Sequence, residues 1–268
     1  MLPFLRRSTV IGFNTDATNY EAFQQFYISL DVLQSKFTSY RDIANDQKLM
    51  CFLSQVLDER LMDIIPTVHL THYPKAIGVA LNVESVLSDL FDRMIQSLSN
   101  RIIVQFNTAD ILAHLSLYHR VCQKLRDKRI AWIVCDMQVG SINLLDWSLF
   151  GAPYIRVAWS PLWKDQEKTV LLRQFIRQHP ETHLIFANCD CKEALLFGCK
   201  VGIRLFEGNF IDTLCAVMAK HTCTFGQECT VDDCKIRRSV LDGDFRRKCV
   251  HEPHLDIYTP FKEGPKSD

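Results

Sequence analysis

The sequence predicts an α/β protein in which a mostly parallel sheet is covered by helices, as a (β/α) barrel or a doubly wound sheet. Two observations predict this fold. Apolar segments of strand length alternate with segments of helical period along most of the chain. The strand-length segments are continuous apolar runs, which is typical of parallel strands that are buried on both faces.

The first part of the chain is less regular than the rest. Two strands are predicted at 8–13 and 23–30, joined by the polar stretch 14–20. A helix is predicted at 47–65. These three elements precede the regular alternation.

Strands and helices alternate from residue 76 onward. The predicted strands lie at 76–83, 102–106, 130–135, 154–159, 184–187 and 203–206. The predicted helices lie at 84–97, 109–129, 167–179, 191–199 and 209–221. The first of these helices carries Leu87, Phe91 and Met94 on one face, at the spacing of an amphipathic helix. Pro180 ends the third helix, because a proline disfavours helical geometry in the residue before it.

The composition is that of an ordinary globular protein, with 268 residues, 47% of them hydrophobic and 23% charged. Lys+Arg and Asp+Glu both number 31, so the neutral chain gives no electrostatic reason to expect a nucleic acid or a membrane surface as partner. No apolar run approaches the roughly 18–20 residues of a membrane span, and the first residues lack the pattern of a signal peptide. The 11 cysteines are odd in number and mostly lie within apolar segments, which predicts a reducing, cytoplasmic location without a disulfide framework.

After residue 221 the sequence becomes polar, carries several cysteines and lacks long apolar runs. We expect a barrel domain over 1–221 and a polar extension over 222–268. Cys223, Cys229, Cys234 and Cys249 of the extension could hold a zinc ion or an iron–sulfur cluster as four thiolates. The segment lacks the C-x2-C motif of most zinc sites, so the alternative is a loosely attached tail with incidental cysteines. Its acidic and basic residues nearly cancel, which is typical of a solvated helix pair.

Short polar motifs stand at the ends of the predicted strands, at 81–85, 103–108, 135–140, 155–157, 187–190 and 207–209. These motifs resemble those of the EAL domain, the barrel that hydrolyses the bacterial messenger cyclic di-GMP. The resemblance implies a ligand site at Asn82, Gln105, Asp136, Arg156, Asp190 and Glu207. Cys135 precedes Arg156 by 21 positions and Asp190 precedes Glu207 by 17, and both intervals match the family's. The resemblance covers about residues 1–213 and implies an EAL-type, TIM-like barrel, similar to an alphaproteobacterial branch of the family.

The resemblance also implies that most of the catalytic carboxylates are missing. The family's metal-binding carboxylates fall on Gln25, Gln105, Cys135 and Ala187, its lysine on Arg156 and its glutamine on Glu207. Asn82 and Asp136 are retained, and Asp190 replaces a glutamate. Two Mg²⁺ or Mn²⁺ ions held close together need several carboxylates to neutralise them. The resemblance therefore implies a degenerate module without phosphodiesterase activity and without a cofactor in the barrel.

Three functions are compatible with such a module: a regulatory or protein-interaction role, a receptor that binds cyclic di-GMP without hydrolysis, and an enzyme with altered chemistry. The retained Asn82 and Asp136 favour the receptor. The missing ligands and the negative charge of Glu207 favour the regulatory role, with a protein partner of unknown identity. A homodimer is left open.

Within the site, Arg156 is predicted to pair with Asp136 or Glu207 in place of the metals, with nucleotide binding as the alternative. Asn82 could instead cap the helix that follows it. Cys135 is expected to be a packed core residue rather than a nucleophile.

Overall fold

The structure is a computed structural model that describes residues 4–16, 18–29, 47–68, 76–98 and 101–260, with the backbone alone over 47–51. Eight strands close into a barrel in the order of the sequence. They are β1 Leu5–Phe13, β2 Asn19–Ile28, β3 Ala76–Ala80, β4 Ile102–Asn107, β5 Ala131–Met137, β6 Tyr154–Ala158, β7 His183–Ala187 and β8 Leu205–Phe206. The first strand, β1, runs antiparallel to both of its neighbours, β2 and β8. From β2 to β8 each strand is parallel to the next.

The helices of the described residues surround this barrel and continue beyond it. They are α1 Gln47–Ile64, α2 Asp89–Ser97, α3 Thr108–Ala113, α4 Leu115–Asp127, α5 Gln166–Gln178, α6 Lys192–Val201, α7 Asn209–Thr222, α8 Val231–Ser239 and α9 Asp244–Arg247. The predicted α/β barrel is confirmed. Residue 30, the end of the predicted second strand, lies outside the described residues.

Two of the predicted helices are wrong in detail. The helix predicted at 84–97 begins only at Asp89, because the Ser88 side chain accepts the Phe91 amide and caps the helix there. A short 3-10 turn, Ser85–Leu87, precedes it. The helix predicted at 109–129 is divided at His114, whose φ of −128° and ψ of 39° leave helical geometry.

The strands bury both faces, which explains their continuous apolar sequences. Inside the barrel one layer of side chains comes from six strands: Val10, Phe23, Ile103, Ile133, Ile185 and Leu205. Between strands and helices a larger layer includes Val104, Phe106, Val134, Val157 and Phe186. Inward and outward residues alternate along each strand with the period of two that pleating requires.

The extension after α7 packs against the outside of the barrel. Arg6 of β1 forms an antiparallel bridge with Val240. The neighbouring Arg7 is buried, and its guanidinium donates to the Leu255 carbonyl at 2.8 Å and lies 2.7 Å from an Asp256 carboxylate oxygen. The basic residues of the extension do not all lie in solvent, since Arg238 and Arg246 are buried as well. No helix within the described ranges has the length and apolarity to cross a bilayer.

Candidate functional site

The polar residues at the carboxyl ends of the strands form the next layer above the apolar interior of the barrel. Each stands two positions after an inward-facing residue, so it lies on the same face of its strand, one step nearer the carboxyl end. These residues are Gln25 after Phe23, Gln105 after Ile103, Cys135 after Ile133, Arg156 after Tyr154, Ala187 after Ile185 and Glu207 after Leu205. This layer contains the four positions at which the sequence predicted lost carboxylates.

Arg156 and Glu207 form an ion pair at the centre of this layer. Glu207 is buried, and its other carboxylate oxygen accepts a hydrogen bond from the Gln25 side-chain amide. Of the two partners predicted for Arg156, the structure provides Glu207. The guanidinium therefore supplies the positive charge that this buried carboxylate needs.

Burial and charge oppose each other in this pair. Burial raises the pKa of Glu207, and the Arg156 guanidinium and the Gln25 amide partly offset that rise. Burial alone would lower the pKa of Arg156, but the Glu207 carboxylate and the Cys135 thiol raise it above its ordinary value. Arg156 is therefore a permanent cation.

Gln105 and Cys135 fill the neighbouring part of the layer. Both are buried, and the Cys135 Sγ lies 3.9 Å from the Gln105 Oε1. The amide of Gln105 also lies over Gly78 of β3, where an added Cβ would come within 2.7 Å of its nitrogen. Burial raises the pKa of the Cys135 thiol to about 12, despite the nearby Arg156. The thiol is protonated at neutral pH, as expected of a packed residue rather than a nucleophile.

Asn82 lies at the rim of the barrel, held by a buried carboxylate. Its backbone and side-chain N–H groups donate to one oxygen of Asp58 at 2.7 and 2.8 Å, and the Ser85 hydroxyl donates to the same oxygen at 2.6 Å. The prediction that Asn82 caps the following helix is wrong, because Ser88 does so. Burial raises the pKa of Asp58 to about 6, although these hydrogen bonds favour its charged form.

The other two candidate residues also lie at the rim and have local partners. Asp136 is exposed, has a φ of 72°, and accepts a hydrogen bond from the Asn107 amide at 2.6 Å. Asp190 accepts the Asn209 backbone N–H at 3.0 Å, at the start of α7. The structure thus brings Gln105, Arg156 and Glu207 together in the interior, and places Asn82, Asp136 and Asp190 around them.

Asp58 is a residue that the sequence did not place in the candidate site. It belongs to α1, where it follows the apolar Val56 and Leu57 and precedes the buried Leu61 and Met62. A carboxylate on the apolar face of an amphipathic helix is the signal that could have identified it, because such a group needs a partner.

The donors of the interior layer do not fit a pair of hard divalent ions. They are two amides, a protonated thiol and one carboxylate that a guanidinium already neutralises. Mg²⁺ and Mn²⁺ prefer several carboxylate oxygens. Across the described parts of the chain, no three His, Cys, Asp or Glu side chains are arranged as ligands of one metal ion.

A cavity of about 980 Å³ lies at the opposite, amino-terminal end of the barrel. Its lining includes Tyr20, Arg101, Arg129, Tyr154 and Arg204. None of the candidate residues from the sequence lines this cavity, so it is separate from the layer described above.

No protein-family model and no curated protein sequence matches this chain, but solved structures do. The EAL domain of Xanthomonas citri FimX in complex with c-diGMP is 11% identical, with a TM-score of 0.58 over 77% of this chain and 85% of that one. A manganese/c-diGMP complex of Klebsiella pneumoniae BlrP1 is 14% identical, with a TM-score of 0.57 over 77% of this chain and 54% of that one. The Bacillus subtilis YkuI protein, with an EAL domain and in complex with substrate c-di-GMP and calcium, is 11% identical, with a TM-score of 0.54 over 78% of this chain and 55% of that one.

The fold of this chain is that of an EAL-type, TIM-like barrel, as the sequence predicted. The chain spans about half the length of the BlrP1 and YkuI chains. At such low identities the likeness concerns the fold, and function has to be argued from the site.

Proposed function

We propose that this chain is a non-catalytic EAL-type module with a regulatory or protein-interaction role. The observation that carries the proposal is the Arg156–Glu207 ion pair at the centre of the interior layer. A fixed guanidinium lies beside the positions where the resemblance implies metal ligands. It cannot be displaced by a metal without leaving the buried Glu207 to find another partner.

The chemistry of hydrolysis supports the same conclusion. Enzymes supply rate factors of about 10⁶–10¹⁷, and a metal-dependent phosphodiesterase obtains much of this from metal-activated water. Gln105, Cys135 and Ala187 offer no carboxylate with which to hold such metals. An arginine can stabilise a phosphate charge, but it does not lower the pKa of water as a bound divalent ion does.

A hydrolysis assay tests this proposal. We expect the purified chain to leave cyclic di-GMP intact in the presence of Mg²⁺ or Mn²⁺, at the rate of a no-protein control. Turnover above that control, abolished by Asp136→Asn, would contradict the proposal, because the retained aspartate would then be catalytic.

A receptor for cyclic di-GMP is the second candidate. Asn82 and Asp136 are retained at the rim, and the neighbouring FimX, BlrP1 and YkuI structures are complexes with this nucleotide. The negative charge of Glu207 argues against binding of a phosphate group, but Arg156 neutralises this charge. The phosphate oxygens of a bound nucleotide would then face a neutral ion pair rather than a free carboxylate.

Calorimetric titration with cyclic di-GMP, with and without Mg²⁺, separates the two candidates. The regulatory role predicts no saturable heat in either condition. A receptor predicts saturable binding that weakens on Asn82→Ala and Asp136→Asn. Glu181→Gln, at the opposite end of the barrel before β7, is the matched control and should leave binding unchanged.

The chain is also proposed to work in the reducing cytoplasm. The cysteines whose side chains are described carry free thiols, in line with this location.

A further inference from the structure

The extension gathers its four cysteines from four consecutive segments of the chain. Cys223 is the residue at which α7 ends, and Cys229 follows a short 3-10 turn. Cys234 lies on α8, and Cys249 follows α9. We propose that these four cysteines bind one zinc ion as four thiolates, and so form a metal centre that is independent of the barrel interior.

The packing gathers three of the four cysteines in one cluster. Cys234 is buried in a small cluster with Ala216 and Ala219 of α7, and Cys229 and Cys249 pack against that cluster. Cys223 caps the end of the same helix. The cluster contains few apolar side chains, and a small element with so little core usually depends on a staple such as a metal.

The backbone between the first three cysteines is tightly specified. A Cβ on Gly226 would come within 2.0 Å of the Lys220 carbonyl oxygen, so this close return of the chain onto α7 requires glycine. A capping box between Thr230 and Asp233 then fixes the start of α8. Cys234 follows directly, on the first turn of that helix.

The fourth cysteine is held by a buried arginine. The Cys249 N–H donates to the Arg246 carbonyl at 2.9 Å. The Arg246 side chain is itself fixed by Asp256 and Glu252, each at 2.8 Å, and by the Val240 carbonyl at 3.0 Å. The position of Cys249 is therefore set by contacts that do not involve the other cysteines.

The surroundings suit the charge of a tetrathiolate centre. Binding exchanges four thiol protons, released to solvent, for one Zn²⁺, and leaves a net charge of −2 on the centre. Lys220 lies in the last turn of α7, before Cys223, and Arg237 and Arg238 lie in the last turn of α8, after Cys234. These cations would offset the negative charge of the centre.

Within the described chain no three His, Cys, Asp or Glu side chains are placed as ligands of one ion, so zinc binding has to draw the thiols together. A cysteine has one rotatable side-chain bond with three staggered positions. His251 is a competing ligand, with its Nδ1 4.0 Å from the Cys223 Sγ. The chemistry of zinc allows either a fourth thiolate or an imidazole, so the test has to separate them.

Metal analysis of the full-length chain, purified without chelators under reducing, oxygen-free conditions, tests the proposal. We expect about one zinc per chain, as a single tetrahedral site requires. Zinc content should fall at least about tenfold in the double variant Cys229→Ser/Cys234→Ser, which removes half of the ligands. Cys191→Ser, an exposed free thiol outside the extension, is the matched control and should keep its zinc.

A second measurement does not depend on the folding of a variant. Wild-type protein treated with a thiol-blocking mercurial should release its zinc to a chromophoric chelator, whereas His251→Ala should retain wild-type content. Wild-type chain that neither contains zinc nor takes it up on addition would overturn the proposal. Iron with inorganic sulfide instead of zinc would overturn it in favour of a cluster, and zinc lost on His251→Ala would overturn the four-thiolate ligand set.

Discussion

Arg156 illustrates how a single residue changes the chemistry of a barrel interior. The guanidinium contacts a carboxylate that is buried at the end of β8, and it remains charged at any accessible pH. A metal centre gathers several carboxylates around a divalent ion, whereas this layer gathers amides and a thiol around one ion pair. The pair fixes the interior, because the half-buried Arg156 cannot leave without depriving the buried Glu207 of its cation.

Removing one partner of this pair should destabilise the fold strongly. We expect Arg156→Met to lower the free energy of unfolding by up to about 3–5 kcal/mol, because Glu207 is left buried and unpaired. The loss should be smaller at low pH, where protonation of Glu207 removes its charge. Urea unfolding at pH 5 and pH 8 measures both effects.

The double variant Arg156→Met/Glu207→Gln is the control for this experiment. It removes the buried charge together with its partner, so it should recover most of the lost stability. If Arg156→Met loses less than about 1 kcal/mol, the value of an exposed pair, then Glu207 does not depend on Arg156 for its charge in solution.

A buried carboxylate, Asp58, and a half-buried one, Asp212, make stability depend on pH. Burial raises the pKa of Asp58 to about 6 and that of Asp212 to about 7, from an ordinary value of 3.8. Above about pH 4 these two carboxyl groups are ionised in the unfolded chain but still protonated in the folded chain. The free energy of unfolding therefore falls as pH rises from about 4 to about 7. The effect of Asp58 is on the order of 2–3 kcal/mol.

Replacement by asparagine should remove this dependence one group at a time. Asp58→Asn should remove the part of the fall in unfolding free energy that lies below about pH 6 and comes from Asp58. Asp212→Asn should remove the part that comes from Asp212, up to about pH 7. Thermal or urea unfolding across pH 4 to 8 provides the measurement. Profiles that keep the slope of the wild type in both variants would contradict the assignment of these groups.

The sequence predicted the interior residues of the site better than those at the rim. The resemblance to the EAL domain placed Gln105, Arg156 and Glu207 at strand ends, and strand pleating, which repeats every two residues, brings them to one layer. The partner of Asn82 is Asp58, which lies on a helix 24 positions earlier. Contacts of that kind depend on how α1 docks on the barrel, and no local pattern encodes the docking.

At the scale of the elements, the apolar period of the sequence predicted which helices and strands exist. Capping residues decided where the helices begin and end. The β strands were predictable because burial on both faces makes them continuous apolar runs. The helix predicted at 109–129 is divided at His114, where the backbone leaves helical geometry. A change of backbone angles at one residue is not visible in the apolar period.

The packing of α6 on the barrel depends on one glycine. A Cβ at Gly198 would come within 2.5 Å of the Phe206 ring and 2.9 Å of the Phe186 ring. Alanine is favoured over glycine in a helix by about 1 kcal/mol, but overpacking a core costs about 1–3 kcal/mol. We therefore expect Gly198→Ala to destabilise the fold in urea unfolding, against the intrinsic preference of the helix.

The double variant Gly198→Ala/Phe206→Leu tests the cause. If the ring contact is responsible, the smaller side chain should make the alanine less costly than it is in the wild-type background. An alanine that stabilises the wild-type chain would show that α6 moves away from β8 at little cost.

At the scale of the whole molecule, buried polar contacts connect the extension to the barrel. Arg7 belongs to the barrel strand β1, yet its guanidinium bonds to the carbonyls of Arg238 and Leu255 and pairs with Asp256. Burial lowers the pKa of Arg7 to about 10, so it stays charged at neutral pH. Composition predicted a domain boundary near residue 221. It could not predict that Arg7 of the barrel contacts the extension, because composition carries no information on contacts.

This connection predicts that the extension and the barrel unfold together. Trp132, Trp147, Trp159 and Trp163 all lie in the barrel, so tryptophan fluorescence reports its unfolding, while hydrogen exchange of α8 amides reports the extension. In the wild type both probes should give the same midpoint in urea, as in a two-state transition.

Arg7→Met tests the connection itself. It should lower the free energy of unfolding by about 1.5–3 kcal/mol, since it removes a charged partner of Asp256 while Arg246 remains in contact with that carboxylate. It should also let α8 exchange before the barrel unfolds. Arg247→Met is the matched control, because its exposed pair with Asp242 is worth about 1 kcal/mol or less. If α8 already exchanges well before the barrel unfolds in the wild type, the extension is a separate unit and the Arg7 contacts do not couple it to the barrel.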